Sequence, residues 1–267
     1  MEKHLTFATQ LALQTGQLLR ASYRKTDFHI QYKADHSVIT EADLAADELI
    51  SQAIHEQYPD EGLLSEELHP ETMQLKNAVW VVDPLDGTTN FSLGLPVWGV
   101  SIARLVAGWP ETTALYFPIL DELYTAQRGE GSTFNKIPLH LKPEMANQPA
   151  TFFACCSRTH RRYHITIPYK TRILGSAAYN FCILGRGIAL MSFEARAKIW
   201  DIAGAWLVVK ESGGEIETRD GSTPFPLLPG VDYRKRSFPV LAAQTPGLLA
   251  QARTHIQPKE NPLTPMA

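Results

Sequence analysis

The run Trp80-Val81-Val82-Asp83-Pro84-Leu85-Asp86-Gly87-Thr88-Thr89-Asn90-Phe91 constrains the fold more than any other stretch of the chain. An apolar strand runs straight into two acids separated by a proline and a leucine, then stops on glycine and two threonines. Pro84 fixes φ and removes a backbone donor, and Gly87 tolerates backbone angles that other residues resist. Asp83 and Asp86 can therefore converge at a strand end. Thr88-Thr89-Asn90 can open a short helix, whose first N–H groups and partial positive charge suit a phosphate. A phosphate dianion beside carboxylates is repelled unless cations lie between them, so the arrangement implies bound metal, and all-oxygen ligands favour Mg²⁺. Taken alone, the same DPLDG segment also reads as a solvated turn.

Acids elsewhere weigh on that choice. Glu66-Glu67 ends the strand-like run GLLS, where an exposed acid pair is the plain alternative. Asp201 opens DIAGAWLVVKESGG, which reads as a helix with an Asp N-cap and a closing Gly213-Gly214. Three separate segments thus deliver acid at the end of an apolar run or the start of a helix. Functional groups cluster at such positions in layered α/β structures.

The rest of the pattern supplies a scaffold. Leu5, Ala8, Leu11, Ala12, Gly16 and Leu19 recur at helical spacing, and Thr40-Glu41-Ala42-Asp43 resembles a capping box opening a second helix that ends near Tyr58-Pro59. Strands are expected at Gly62 to Leu64, Val79 to Val82, Val97 to Val106, Thr113 to Phe117 and Glu122 to Ala126. So few residues separate them that antiparallel pairing follows. The second half predicts a strand at Thr151 to Cys155, a basic loop SRTHRR, a strand around Arg172 to Leu174 and a helix after Gly175-Ser176. With 267 residues, 44% of them hydrophobic, the chain can bury a sizeable core. A soft boundary near residue 145 is expected, with residues 1–145 and 146–256 sharing one cleft and a polar, proline-rich tail at 257–267.

A formal charge of −3 gives no global reason to expect nucleic acid as a partner. Cys155, Cys156 and Cys182 form no disulfide framework, and the opening MEKHLTFATQLALQTGQLLR lacks the continuous apolar core of a signal peptide or membrane span. A cytoplasmic protein without membrane contact is the expectation. Cys155 and Cys156 read as buried strand residues, and Trp98, Trp109 and Trp206 as core or interface aromatics. Arg158 and His160-Arg161-Arg162 read as a solvated basic loop or as an attractor for a second phosphate.

The glutamate pair in LLSEEL, then DPLDGTTN, then WDIAGAWLVVKESGG resemble, in this order, the motifs of the inositol monophosphatase family, over roughly residues 5 to 255. The resemblance implies an α+β, layered αβαβα sandwich with largely antiparallel sheets, a homodimer, and lithium-sensitive, Mg²⁺-dependent phosphomonoesterase activity. Glu66, Asp83, the Leu85 carbonyl, Asp86 and Asp201 match the family's metal ligands for two or three Mg²⁺ ions. Glu66 and Thr88 would orient and deprotonate the attacking water, and the amides of Gly87 and Thr88 would hold phosphate oxygens. Asp43 matches an acid that supports the metal site from behind, a role that competes with a simple cap. Lys33 falls at a family lysine position.

For the substrate, Asp86 and Asp201 would face the ester, Glu194 would accept hydrogen bonds from hydroxyls, and the backbone at Gly175, Ser176 and Ala177 would face the ring. Two positions depart from the family pattern: Ser65 replaces a common glycine, and GIALMSFEARAKIWD is basic and apolar around Glu194. The first implied substrate is myo-inositol monophosphate. Histidinol phosphate and fructose 1,6-bisphosphate are the alternatives within the family, and a regulatory binding protein touching the transcription machinery is the alternative outside catalysis. Thr89-Asn90 counts against nucleotide substrates.

Overall fold

The computed structural model describes residues 2–23, 30–32, 38–67, 76–142 and 151–260. Lys33 and the expected boundary near 145 lie outside the described residues, as do residues 261–267.

In chain order the first part contains α1 (Glu2–Ser22), β1 (Ile30–Tyr32), β2 (Val38–Thr40), α2 (Glu41–Gln57), β3 (Gly62–Ser65), β4 (Ala78–Asp86) and α3 (Thr88–Ser92). Strands β5 (Gly99–Val106), β6 (Trp109–Phe117), β7 (Glu122–Gln127), β8 (Gly131–Phe134) and β9 (Ile137–Leu139) complete a seven-stranded sheet in sequential order from β3 to β9. Only the β3–β4 pair in it is parallel.

The second part contains β10 (Phe152–Cys155), α4 (Thr159–Arg162), β11 (Tyr163–Ile165), β12 (Lys170–Arg172), α5 (Ala177–Gly185), β13 (Ala189–Ala197), α6 (Ile199–Glu211), β14 (Glu215–Thr218), β15 (Phe238–Ala243), α7 (Pro246–His255) and β16 (Ile256–Pro258). Its five-stranded sheet, ordered β12-β10-β13-β15-β14, is mixed: the β12–β10 and β10–β13 pairs are parallel and the others antiparallel.

Helices α1 and α2 cover one face of the seven-stranded sheet, and α6 covers the other with α5 beside it. Helix α5 packs on β13, β10 and β15, while α7 also contacts β13 and β15. The described residues therefore build the expected αβαβα sandwich. Strand β4 shows why it holds together. Val79 and Val81 join the core with α5 and α6, whereas Trp80, Val82 and Leu85 join the core under α1 and α2. A strand covered on both faces reads as a continuous apolar run. No helix among the described residues is long and apolar enough to cross a membrane.

Several local expectations are corrected. The strand around Arg172 to Leu174 lies at Lys170–Arg172, because the chain leaves the ladder to reach Gly175 at φ +84°. The SRTHRR loop contains the single turn α4. Trp109 is half exposed, with the Arg128 guanidinium 5.7 Å from its ring centre. Ile256–Pro258 pairs with Tyr163–Ile165, and Lys259 Nζ donates to the His160 carbonyl at 2.7 Å, so the start of the expected tail is fastened down.

Helix α6 approaches its sheet through Gly204, where a Cβ would stand 2.5 Å from Thr113 Oγ1 and 3.1 Å from Ser101 Oγ. Thr113 is itself held by donating to the Ile102 carbonyl. Gly204→Ala is expected to lower stability by about 1–3 kcal/mol through overpacking. Thermal unfolding checks this, and an unchanged Tm would contradict the close approach.

Candidate active site

Asp83 and Asp86 are three residues apart, which in a regular strand would put them on opposite faces. The ladder to β5 slips between them: Asp83 faces Ser101 and Asp86 faces Gly99. One extra residue is thereby inserted on β4, at the position where Pro84 cannot donate. The bulge restores parity, and both carboxylates face α5 and α6. Parallel pairing aligns Ser65 with Val82, and the Glu66 amide donates to the Val82 carbonyl at 3.2 Å, so Glu66 follows the strand to Asp83. Ser65 Oγ ties this strand to α2 by donating to buried Asp47 Oδ1 at 2.7 Å.

Asp201 completes the group from the first turn of α6. It is not the N-cap: that position is Lys198, whose backbone N–H donates to Asp201 Oδ2 at 2.8 Å. The acid reaches back from the third helical position, since Ile199 and Trp200 are already helical. Glu66, Asp83 and Asp201 each offer a carboxylate oxygen, all within 4.8 Å of one another. Burial, followed by Glu66, Asp86 and Asp201, drives the Asp83 carboxyl well above the ordinary range. Asp201 is likewise pushed well up by burial and then by Glu66 and Asp86. Such clustered hard oxygens fit a divalent cation, which would neutralise them.

Asp86 takes a different orientation from those three. Its carboxylate accepts from Ser176 Oγ, from the Ala177 amide at 3.2 Å and from the Ala178 amide at 3.0 Å, at the start of α5. Burial still raises it to about 6, against those hydrogen bonds. An acid of the first half thus anchors a helix of the second.

Behind this group, Asp43 divides its two oxygens between tasks. Oδ2 accepts from the Thr40 amide at 2.8 Å and from Thr40 Oγ1, closing the capping box, while Oδ1 lies 3.0 Å from Thr88 Oγ1. Thr88 Oγ1 also lies 3.0 Å from the Leu85 carbonyl, and its one proton serves one acceptor at a time. Burial lifts Asp43 to about 6.

Gly87 turns the chain into α3 at φ +89°, and a Cβ there would meet the Val97 carbonyl oxygen at 3.0 Å. Two asparagines escape sequence reasoning. Asn90 Nδ2 donates to the carbonyls of Val97 at 2.6 Å and Leu174 at 2.7 Å, joining α3 to the Gly175-Ser176-Ala177 turn. A Cβ on Gly175 would collide with that asparagine at 2.6 Å. Asn180 Nδ2 holds buried Glu194 Oε1 at 2.7 Å. Burial raises Glu194 to about 7. A motif such as TTN marks position 90 as polar, but its carbonyl partner 84 residues away is invisible in sequence.

These groups line or adjoin one cleft of about 560 Å³, whose walls include Asp86, Glu194, Asp201, Gly175, Ser176 and Ala177. Convergent polar groups in a cavity of this size define a small-molecule site.

Comparison with known proteins agrees with this architecture. The chain belongs to the inositol monophosphatase family, whose profile matches residues 1–257. It is 34% identical over 227 residues to the Nus factor SuhB of Pasteurella multocida, covering 81% of this chain and 85% of that protein. It is 31% identical over 227 residues to the histidinol-phosphatase of Chlorobaculum parvum, covering 80% and 85%. The crystal structure of the extragenic suppressor protein suhB from Bartonella henselae superposes with a TM-score of 0.78 at 25% identity, over 92% of this chain and 95% of that one.

The raised carboxyls fix how stability changes with pH. Asp43 and Asp86, at about 6, and Glu194, at about 7, hold protons in the fold that the unfolded chain has already lost above about pH 4. Metal-free protein therefore loses stability as pH rises from about 4 through these values. Mg²⁺ binding should oppose the loss, so its increment in Tm is expected to be larger at pH 8 than at pH 5. Thermal melts with EDTA or excess Mg²⁺ test this, and an equal increment at both pH values would count against the assignment.

Proposed function

We propose that the protein is a Mg²⁺-dependent phosphatase of a small polyol or sugar phosphomonoester, with myo-inositol monophosphate as the first substrate. The observation that carries this reading is the approach of Glu66, Asp83 and Asp201 within 4.8 Å, with Asp201 also lining the cleft. Glu66, Asp83, the Leu85 carbonyl, Asp86 and Asp201 would hold the two or three ions. Bound there, Mg²⁺ would supply Lewis-acid charge to the phosphoryl group and lower the pKa of water.

The chain's own residues do the rest. Thr88 gives its proton to Asp43, which leaves the hydroxyl lone pairs free to receive a hydrogen bond from the attacking water. Glu66 helps orient that water and takes up its proton. The amides of Gly87 and Thr88 hold phosphate oxygens in a fixed array that needs no reorganisation during the reaction. Glu194, kept in place by Asn180, accepts from hydroxyls of the alcohol, and the Gly175-Ser176-Ala177 backbone faces its ring. No protein nucleophile is required. A cytoplasmic, lithium-sensitive homodimer completes the reading.

Two observations keep other readings open to test. The histidinol-phosphatase relative favours histidinol phosphate as the competing alcohol; fructose 1,6-bisphosphate is the further alternative. The relative known as a Nus factor favours a regulatory binding role. A panel of these phosphate esters, with and without Li⁺, is expected to show Mg²⁺-dependent phosphate release that Li⁺ inhibits. Asp83→Asn should reduce release by at least about a thousandfold, whereas a pure binding role would survive it. Thr88→Ala should lower kcat about 10²-fold, the scale for losing a group that orients the attacking water, while Thr88→Ser retains most of it. Release of no phosphate from any ester would overturn the enzymatic reading.

A further inference from the structure

The cleft carries both signs of charge on its walls. Buried Asp86 and Glu194 and partly exposed Asp201 line it together with two exposed arginines, Arg158 and Arg196. The register places the segments that carry them side by side, and both line one cleft. Strands β10 and β13 run parallel with Cys155 opposite Phe193, and each arginine stands three residues beyond that pair. The segments stay joined past the ladder: the Cys156 amide donates to the Phe193 carbonyl, and the Ala195 amide lies 3.4 Å from Cys156 Sγ. Arg196 follows two residues after Glu194 and lines the same cavity. The Arg158 charge is felt at Glu194, whose carboxyl it draws downward against burial.

Among the described residues, no carboxylate forms an ion pair with either guanidinium. Arg196 Nε has only a long contact of 3.4 Å to Ser237 Oγ. Two such cations on a cleft that also reaches the metal-suited acids at Asp201 match a ligand that is anionic at both ends. Guanidinium groups bind phosphate and carboxylate oxygens through paired N–H donors.

We infer that Arg158 and Arg196 form a second anion subsite, so that the preferred substrate carries a second phosphate or carboxylate on the side of the alcohol away from the scissile ester. This rests on the phosphatase reading for the position of the scissile group, and among the esters named there it favours the doubly anionic one, fructose 1,6-bisphosphate, over myo-inositol monophosphate. Leu95, Pro96 and Ile173 supply apolar lining beside them, and the arginines are the cationic side chains on the cleft.

The test compares fructose 1,6-bisphosphate with fructose 1-phosphate, which share the reacting ester and differ in the second anion. Binding is measured calorimetrically with Ca²⁺ in place of Mg²⁺, for the wild type and for the double variant R158Q/R196Q. The wild type should bind the bisphosphate roughly tenfold or more tightly than the monophosphate, the increment of one charge-assisted contact. The double variant should reduce that ratio to about twofold or less, and R158K/R196K should restore part of it. Equal or absent binding of the two esters by the wild type, or a ratio that survives R158Q/R196Q, overturns the subsite. Phosphate release in Mg²⁺ is read separately. A binding ratio without turnover would sink the phosphatase reading and leave the subsite standing, while turnover without a ratio would sink the subsite alone.

Discussion

Mutual repulsion of carboxylates is the constraint around which this fold is arranged. Unit charges less than 5 Å apart repel by about 3–4 kcal/mol per pair at an effective dielectric near 20, and burial adds a desolvation penalty for each. Glu66, Asp83 and Asp201 are nevertheless held that close by three different elements. Only a rigid frame can impose this. Strand β4 supplies it, since cores on both faces of the seven-stranded sheet leave Asp83 no room to swing away. A parallel neighbour fixes Glu66, and the close approach of α6 through Gly204 fixes Asp201. Strain of this kind is relieved by a cation, which makes the proposed ion part of the structure as well as of the chemistry.

The two halves of the chain are joined through the same groups. Asp86 accepts from the first amides of α5 and so serves as a remote cap for a helix of the other half. Asn90 clamps the Leu174 carbonyl, and the absence of a side chain on Gly175 leaves room for the clamp. The Gly175-Ser176-Ala177 turn is thereby positioned from α3, the element proposed to hold the phosphate. The cleft is pre-organised because its walls are bonded to each other through residues that also face its interior.

What could be read from the sequence follows the range of each interaction. The capping box at Thr40-Glu41-Ala42-Asp43 is local, and the structure contains it as written. Convergence of the distant acids followed from their similar placement at element ends. Asp201 reads as an N-cap but occupies the third helical position, because an acid suits either site and only the backbone decides. Strand β13 gives no alternation because nearly all of it is buried, so the sequence ALMSFEARA hides both its strand and its outward Arg196. Asn90 and Asn180 act on partners 84 and 14 residues away, and their types alone do not name those partners.

The placement of charge separates chemistry from selection. The grouped acids come from β4, α6 and the end of β3, and β4 is packed into cores on both of its faces. The arginines stand on the end of β13 and on the turn after β10, exposed and bonded to little else. Substitution there changes the charge lining the cleft while leaving the buried frame intact. A fold divided in this way can keep one phosphoryl-transfer centre and change its substrate by a few residues on the cleft. On the proposed two-anion reading, positions 158 and 196 are where this chain's own substrate preference is set, apart from the buried frame that carries the acids.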